Sequence, residues 1–248
     1  MKRKFGWLPD VPDYRDFAYC KILPRVKLPS EVNLCKKGIS PVEDQGQLGS
    51  CTANALVGNL EYLDLQDGDK KYIDQSRLFI YYNERVLINT VNEDSGAMLR
   101  DGIKSLVKWG SCPESVWEYD IDDFTEKPSS KAYALAKKHV ISVYYRINTL
   151  NEMLLCLASG YPFVFGFSVY EGFETETVAR TGVVNMPKKN ESLLGGHAVL
   201  GVGYNMKDKR FLIRNSWGER WGKDGYFTMP FEYMESRDLS DDFWTIRK

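Results

Sequence analysis

The chain has 248 residues, of which 43% are hydrophobic, so it is long enough to bury one large core or two lobes. The formal net charge of −1 and the lack of a basic run argue against nucleic acid as the main partner. No apolar run approaches the length that spans a bilayer, and the N-terminus has no apolar signal region, so we expect no membrane partner. These features mildly favour a cytoplasmic location and leave export by another route open.

The first predicted elements are helices, because apolar residues recur at helical spacing in the first half of the chain. One helix is predicted to begin near Cys51, where Gly49 and Ser50 supply a turn and an N-cap. A second helix is predicted over residues 75–87 and a third over residues 98–109.

Strands dominate from about residue 139 onward, where β-branched and aromatic residues form short runs. These runs begin at Val140, Pro162, Ala198, Arg210 and Phe243, and one short helix around residues 150–158 interrupts them. The predicted class is therefore α+β, with a helical lobe over about 28–125, a β lobe over about 126–248 and an extension over 1–27.

Two motifs supply a candidate nucleophile and its base. The stretch from Gln45 to Cys51 places the cysteine in the first turn of a predicted helix, and a helix N-terminus favours the thiolate form. Much later, Gly-Gly-His197-Ala puts an imidazole on a predicted strand, where it is free to meet a group from elsewhere in the fold. Cys51 is the candidate nucleophile and His197 the candidate base.

Two further residues have predicted supporting roles. Asn215, in Arg-Asn-Ser-Trp-Gly, is expected to accept the second imidazole N–H, and Trp217 to shield that bond from water. Gln45 is expected to donate its amide to an oxyanion alongside the backbone N–H of the nucleophile. Taken singly, the cysteine and the histidine read more simply as core residues, but their order, spacing and flanking residues together favour catalysis. His139 has no partner motif and is interpreted as structural.

These motifs resemble the papain and cathepsin family of cysteine peptidases, over roughly residues 28–248. The histidine follows the cysteine at the family's spacing, and the asparagine lies slightly beyond it. Leu28-Pro-Ser-Glu is similar to the start of a mature domain of this family, and Gly218–Tyr226 to the stretch after its asparagine. The chain departs from the family at Leu48, where a disulfide cysteine is usual, and at Thr52, where an aromatic residue usually follows the nucleophile.

The resemblance implies a papain-like two-lobe fold. It implies an N-terminal α-helical lobe, a C-terminal antiparallel β-barrel-like lobe and an active-site cleft between them. It also implies an endopeptidase that cleaves peptides or proteins as a monomer, without a metal or organic cofactor. The cysteines and histidines show no close metal-ligand spacing, which agrees with that expectation.

The resemblance also implies a set of substrate-binding residues. The backbone of Gly96 and Ala97 is expected to pair with an extended substrate. Met98, Leu99 and Leu194 are expected to line an apolar pocket, although the first two can equally be core residues of the following helix. The floor of the pocket is expected within residues 233–237. The remaining predicted substrate contacts are Gly196 and Trp217.

Residues 1–27 allow two interpretations. The run Phe5–Phe17 is too rich in aromatic residues and prolines for a solvated tail, and too short for a long helical prosegment. In the first interpretation, slightly favoured for Trp7 and its neighbours, the segment docks outside the β lobe and completes the fold. In the second, it crosses the cleft and acts as a built-in inhibitor. The stretch from Tyr19 to Lys27 is the other part expected near the cleft.

Some alternatives stay open at this stage. The remaining thiols are sufficient for two disulfides or none, and reduced thiols are mildly favoured. An inactive peptidase fold used as a binding module, and a cysteine-dependent amidase or transferase, are the two rival functions. The intact set of candidate catalytic residues argues against the first, and the acceptor chosen by the pocket decides the second.

Overall fold

Three helices form in the first half of the chain. The computed structural model describes residues 3–67 and 72–248, so Met1 and Lys2 of the predicted extension lie outside the described residues. The helices are α1 (Cys51–Gln66), α2 (Arg77–Leu87) and α3 (Leu99–Lys108), close to the predicted limits. The Ser76 hydroxyl accepts a hydrogen bond from the Phe79 amide and thereby caps α2.

The described residues form seven strands, and most of these come from the second half of the chain. The strands are β1 (Glu31–Asn33), β2 (Val143–Arg146), β3 (Phe163–Tyr170), β4 (Leu193–Asn205), β5 (Arg210–Arg214), β6 (Tyr226–Pro230) and β7 (Ser240–Arg247). The remaining helices are α4 (Ser130–Ala136), α5 (Leu150–Ala158), α6 (Glu176–Thr181) and α7 (Phe231–Glu235). The sequence pattern did not predict β1, β6, α4, α6 or α7.

The strands form one antiparallel sheet in the order β2-β7-β3-β4-β5-β6, and β1 pairs with β4. The predicted barrel-like lobe is an open sheet in the described residues, since β2 and β6 end the path without pairing to each other. Its core is aromatic, and the Phe165 and Phe243 rings stack with centroids 5.3 Å apart.

Helix α1 lies between the other helices and the sheet. It contacts α2, α3 and β4, and every residue from Cys51 to Asp64 is buried. Burial on all sides is typical of such a central position, even though this helix also contains polar residues. The Arg214 guanidinium lies beside Gly58, where a Cβ would be in contact with its Cζ at 3.4 Å. Arg214 then donates to the Ser40 hydroxyl over 2.8 Å, which ties β5 to the segment before α1.

The limit between the two lobes near residue 125 stays a prediction. Two short elements pack with the lobe on the other side of this limit. The Tyr133 ring of α4 packs on Phe79 and Trp109, so α4 lies with the helices. By contrast, β1 precedes α1 in the chain and pairs with the sheet. Within the described ranges, no helix combines the length and apolar character needed to cross a membrane. All five cysteines are described, and each is a free thiol.

A carboxyl group is buried where α1, α2 and α3 meet. The Thr52 hydroxyl donates to Glu84 over 2.8 Å, so the threonine that replaces the family's aromatic residue has a partner in the core. A Cβ at Gly102 would lie 2.2 Å from the other Glu84 oxygen, so only glycine leaves room there. Burial raises the pKa of Glu84 to about 8, opposed by the hydrogen bond from Thr52.

This burial predicts that Glu84 makes stability fall as pH rises. The folded state holds the Glu84 proton up to about pH 8, whereas the unfolded chain loses it near 4.5. Its contribution is therefore complete below about pH 4.5 and is lost as pH rises to about 8. We expect Glu84→Gln to reduce the loss of unfolding free energy between pH 5 and 8 by roughly 1–3 kcal/mol. Urea unfolding across this range measures it, with the exposed Glu232→Gln as the control, and equal slopes for all three proteins would contradict it.

Candidate active site

Cys51 is the first residue of α1 and is completely buried. Backbone N–H groups of Ala198, Gly6 and Thr52 lie within hydrogen-bonding reach of its sulfur and favour the thiolate. The first belongs to β4 and the second to the N-terminal segment, so the thiol lies where α1, the sheet and that segment meet. The helix N-terminus adds its positive end to this environment.

His197 lies on β4 beside Cys51's neighbour Ala198, and its Nε2 is 2.8 Å from Asn215 Oδ1. The Ser216 amide donates to the same Asn215 oxygen over 2.9 Å, which supports its assignment as the acceptor. Because an amide oxygen only accepts, the bond assigns the imidazole proton to Nε2. The other nitrogen, Nδ1, is buried without a partner in the described structure and is available to take a proton from a thiol.

Aromatic rings enclose the imidazole. Trp217 lies 5.0 Å from it at an interplanar angle of 30°, and Phe167 and Phe5 approach at 5.7 Å and 6.3 Å. Trp217 therefore packs against the imidazole ring, and its shielding of the bond to Asn215 stays a prediction. These rings give the imidazole an apolar environment, and its burial disfavours the charged form.

The thiol and the imidazole are both held neutral in this arrangement. Burial raises the pKa of the Cys51 thiol to about 11, against the backbone N–H groups that lower it. Burial also lowers the pKa of His197 to about 4, against the hydrogen bond to Asn215 that raises it. Burial, the largest cause of both shifts, thus favours the neutral forms of the pair while the site is covered.

Gln45 lies next to the nucleophile with its amide fixed. The Ser216 hydroxyl donates to Gln45 Oε1 over 2.7 Å, which turns Nε2 toward two carbonyl oxygens. Nε2 donates to Leu48 O over 2.9 Å and to Lys4 O over 3.3 Å. The amide that was predicted to donate to an oxyanion thus donates to a carbonyl oxygen of the N-terminal segment.

The N-terminal segment runs through the cleft along the residues predicted to bind substrate. The Ala97 amide donates to Gly6 O over 2.8 Å, and the Leu8 amide donates to Ala97 O over 3.0 Å. On the other side, the Trp7 amide donates to Gly196 O over 2.9 Å. The segment is therefore paired with both walls of the cleft, and Gly96 approaches Gly6 so closely that a Cβ would clash.

The Trp7 side chain fills a slot made by missing side chains. A Cβ at Gly166 would lie 1.9 Å from the indole, and one at Gly196 would lie 2.7 Å from it. The indole Nε1 donates to Asp242 over 3.1 Å, and Trp7 is 9% exposed. Trp7 thereby packs on β3 and β4 while its backbone lies in the cleft.

Both interpretations of residues 1–27 therefore apply to the same short segment, but not to the parts of it for which each was predicted. The Trp7 indole packs on β3 and β4, as the first interpretation expects, while the Trp7 backbone pairs with Ala97 and Gly196, as the second expects. The stretch that begins at Tyr19, which was expected near the cleft, starts outside it. The Tyr19 ring packs on Tyr145 of β2, and the Ala18 backbone bridges Arg146.

The remaining predicted pocket residues are dispersed. Leu99 is fully buried at the start of α3, which is the alternative interpretation of that residue. Met98 is partly buried and Leu194 is 40% exposed. The floor was expected within residues 233–237, but the side chain that contacts Trp7 from this end of the chain is Asp242.

Sequence reasoning missed several polar groups at this site. Ser216 orients the Gln45 amide, and Asp44 and Asp94 pair with Arg3 and Lys4 of the N-terminal segment. The two acids lie in polar loops, and such residues carry no periodic signal. The only sequence hint was the basic Arg3-Lys4 pair beside an aromatic run.

Comparison with known proteins agrees with this geometry. Residues 28–240 match the family described as Papain family cysteine protease. An uncharacterised peptidase C1-like protein of Acanthamoeba polyphaga mimivirus is 39% identical over the whole chain and 88% of its own length. Cysteine proteinase 1 of Entamoeba histolytica is 28% identical over 84% of this chain and 65% of that protein.

The crystal structure of xylellain, a cysteine protease from Xylella fastidiosa, is similar throughout. It superposes with a TM-score of 0.91 at 42% identity, covering 100% of this chain and 98% of that one. The predicted α+β, papain-like fold is thereby confirmed, with the sheet open rather than closed. The chain belongs to the papain family and is a cysteine protease.

Proposed function

We propose that this protein is an endopeptidase in which Cys51, His197 and Asn215 carry out acyl transfer. The observation that carries the proposal is the pair of contacts made by His197. Its Nε2–H is bound to Asn215 over 2.8 Å, and its Nδ1 is buried and unpartnered in the described structure. An imidazole fixed in this tautomer has its basic nitrogen free for the thiol proton.

The reaction proceeds in two steps. The Cys51 proton moves to His197 Nδ1, and the thiolate attacks the carbonyl carbon of the scissile peptide bond. Gln45 Nε2–H and the backbone N–H of the nucleophile donate to the oxyanion, and the imidazolium protonates the leaving amine. Water then gives a proton to the same imidazole and attacks the thioester, which releases the acid and restores the thiol.

We also infer that the resting chain is self-inhibited by residues 3–8. These residues hydrogen-bond to Ala97 and Gly196, where a substrate backbone is expected, and the Lys4 carbonyl accepts from Gln45. The neutral state of the thiol and imidazole follows from the same coverage, since burial is the largest cause of both pKa shifts. Displacement of the segment readmits water, which stabilises the thiolate and imidazolium.

The first test is labelling of the full chain with an epoxide that alkylates thiolates of this family, read by intact mass. We expect one site to be labelled and Cys51→Ala to abolish that labelling. Peptide cleavage is expected to fall at least about 10³-fold in the same variant, because no other group replaces the nucleophile. Cys20→Ala, which removes an exposed thiol, is the control. Labelling that survives in Cys51→Ala would assign the nucleophile elsewhere.

A second test concerns the N-terminal segment. Trp7→Ala removes the indole from its slot and is expected to increase the labelling rate about 10-fold or more. Tyr14→Ala is the matched control, because Tyr14 is an aromatic residue of the same segment that is 99% exposed. Gly166→Ala places a Cβ against the indole and is expected to act like Trp7→Ala, with little further effect when the two are combined.

Two results would count against self-inhibition. A folded Trp7→Ala variant that labels at the wild-type rate would mean that the segment does not limit access to the thiol. An insoluble Trp7→Ala variant with a soluble Tyr14→Ala control would mean that Trp7 chiefly completes the β lobe.

The pH dependence of labelling distinguishes a change in the pKa of the thiol from simple exclusion of the epoxide. In the closed chain the pKa of the thiol is raised to about 11, so the labelling rate is expected to keep rising from pH 7 to 10. In Trp7→Ala the thiol regains water and the imidazolium, so the rate is expected to reach its plateau at a lower pH. The rate profile from pH 5 to 10 measures this, and superimposable profiles would contradict it.

A further inference from the structure

The slot that holds the Trp7 indole crosses the neighbouring strands β4, β3 and β7. The benzene edge of the indole lies over Gly196 of β4, and its pyrrole edge lies over Gly166 of β3. At the far end, the indole Nε1 donates to Asp242 of β7 over 3.1 Å. A Cβ at either glycine would overlap the ring, so a side chain as wide as an indole fits because both positions lack one.

A carboxylate closes the far end of this slot. Asp242 is 1% exposed, and its Oδ2 accepts from the indole and from the Asp10 amide, the latter over 2.7 Å. Its Oδ1 accepts from Arg146 Nη2 over 2.9 Å, which supplies a counter-charge. Because a buried charge that is already paired needs no second cation, the free position on Oδ2 is suited to a neutral N–H donor.

The N-terminal segment crosses the cleft in the direction opposite to a substrate. The Lys4 carbonyl lies at the Gln45 amide, and further along the segment Trp7 bridges Ala97 in parallel. A substrate is expected to place the residues before its scissile bond along Gly96 and Ala97, so its chain runs the other way. The backbone of the segment therefore does not show which substrate residue lies where. The slot itself is formed by the walls of the cleft, so it is open to a side chain from a chain of either direction.

We propose that Gly166, Gly196 and Asp242 form a substrate pocket that selects a tryptophan side chain before the scissile bond. The proposal rests on the proposed peptidase function and names its substrate class. The pocket opens beside Ala97 and Gly196, between which the substrate backbone is expected. A smaller apolar side chain leaves part of the slot unfilled, and one without an N–H leaves Asp242 short of a donor. Trp7 fills the pocket in the closed chain, so segment and substrate compete for it.

The test uses the full chain with Trp7→Ala, called the opened chain, which removes the indole from the slot. Epoxide labelling of Cys51 checks that the thiol is accessible. Peptides with one tryptophan at successive positions before the same scissile bond identify the residue that enters the slot, and product masses confirm the bond that is cut. At that position, tryptophan is compared with 2-naphthylalanine, leucine and arginine. The measured quantity is kcat/KM for each peptide.

The comparison with 2-naphthylalanine isolates the N–H group, because its fused ring has nearly the shape of an indole and carries no donor. We expect tryptophan to exceed it by about 10-fold in kcat/KM, as for a hydrogen bond to a charged acceptor.

Asp242→Asn in the opened chain is expected to lower this ratio about 3- to 10-fold, because an amide oxygen accepts without a charge. Asparagine suits the position, since Asp242 has φ 56° and asparagine tolerates this left-handed conformation. Asp241→Asn is the matched control, because Asp241 also pairs with Arg146, over 3.0 Å, and does not contact the indole. It is 38% exposed and is expected to change the ratio by less than about 2-fold.

Gly166→Ala in the opened chain tests the width of the slot. The added Cβ overlaps the place of the indole, so kcat/KM for the tryptophan peptide is expected to fall about 10-fold or more relative to the leucine peptide. Epoxide labelling of the same variant reports whether the thiol is still reactive.

Several outcomes overturn the proposal. Equal values for tryptophan and 2-naphthylalanine at every position exclude Asp242 as the selecting group while the peptidase function stands. A tryptophan preference that Gly166→Ala leaves unchanged assigns it to another pocket, and a higher value for arginine assigns the carboxylate to a cation. Tryptophan peptides that stay uncut by a labelled enzyme also refute the pocket. Failure to cleave any peptide together with an unlabelled Cys51 overturns the peptidase function as well. If Asp242→Asn does not fold, the two fused-ring peptides in the opened chain decide.

Discussion

The packing of α1 against β4 is the contact on which the site depends. Cys51 begins α1 and His197 lies on β4, so neither element alone carries both the proposed nucleophile and its proposed base. The Arg214 guanidinium of the sheet lies against this central helix at Gly58. The guanidinium then binds Ser40, so the chain before α1 is fixed to the sheet by the same contact. The geometry of two reacting groups is thus a property of how the helices lie on the sheet.

The N-terminal segment adds a second constraint, because it contributes to the site without belonging to either layer. It supplies Gly6 to the thiol, Lys4 to the Gln45 amide and Phe5 to the imidazole environment. The pKa shifts of Cys51 and His197 are therefore properties of the covered cleft. Coverage and electrostatics are one effect here, since the groups that exclude peptide also exclude water.

Sequence reasoning succeeded where a pattern repeats along one element. The start of α1 at Cys51 and the limits of α5 followed from a turn, a cap and helical periodicity. It failed where position depends on contacts between distant parts of the chain. Helical periodicity shows that Leu99 lies on an apolar helix face that must be buried. It does not show whether the protein core or a substrate covers that face.

The same limit explains why the sequence did not predict the slot that holds Trp7 or the ion pair made by Asp94. The slot for the indole exists because Gly166 and Gly196 on adjacent strands lack side chains, and their adjacency appears only once the sheet forms. Asp94 lies in a polar loop, and its partner Lys4 lies far away in sequence. Charges of this kind are interpretable only after the cleft has brought them together.

The anchoring of residues 10–19 has a consequence for the kinetics of opening. Asp16 is paired with Arg100 over 2.6 Å, and Tyr19 packs on Tyr145 beyond the cleft. Residues 3–8 therefore remain tethered when they leave, by a linker only a few residues long, so their effective concentration at the cleft stays high. Reclosure is a unimolecular event that dilution does not slow. Under the proposed self-inhibition, lasting activity then requires either a cut between the cleft and this anchor or a substrate that outcompetes a covalently attached occupant.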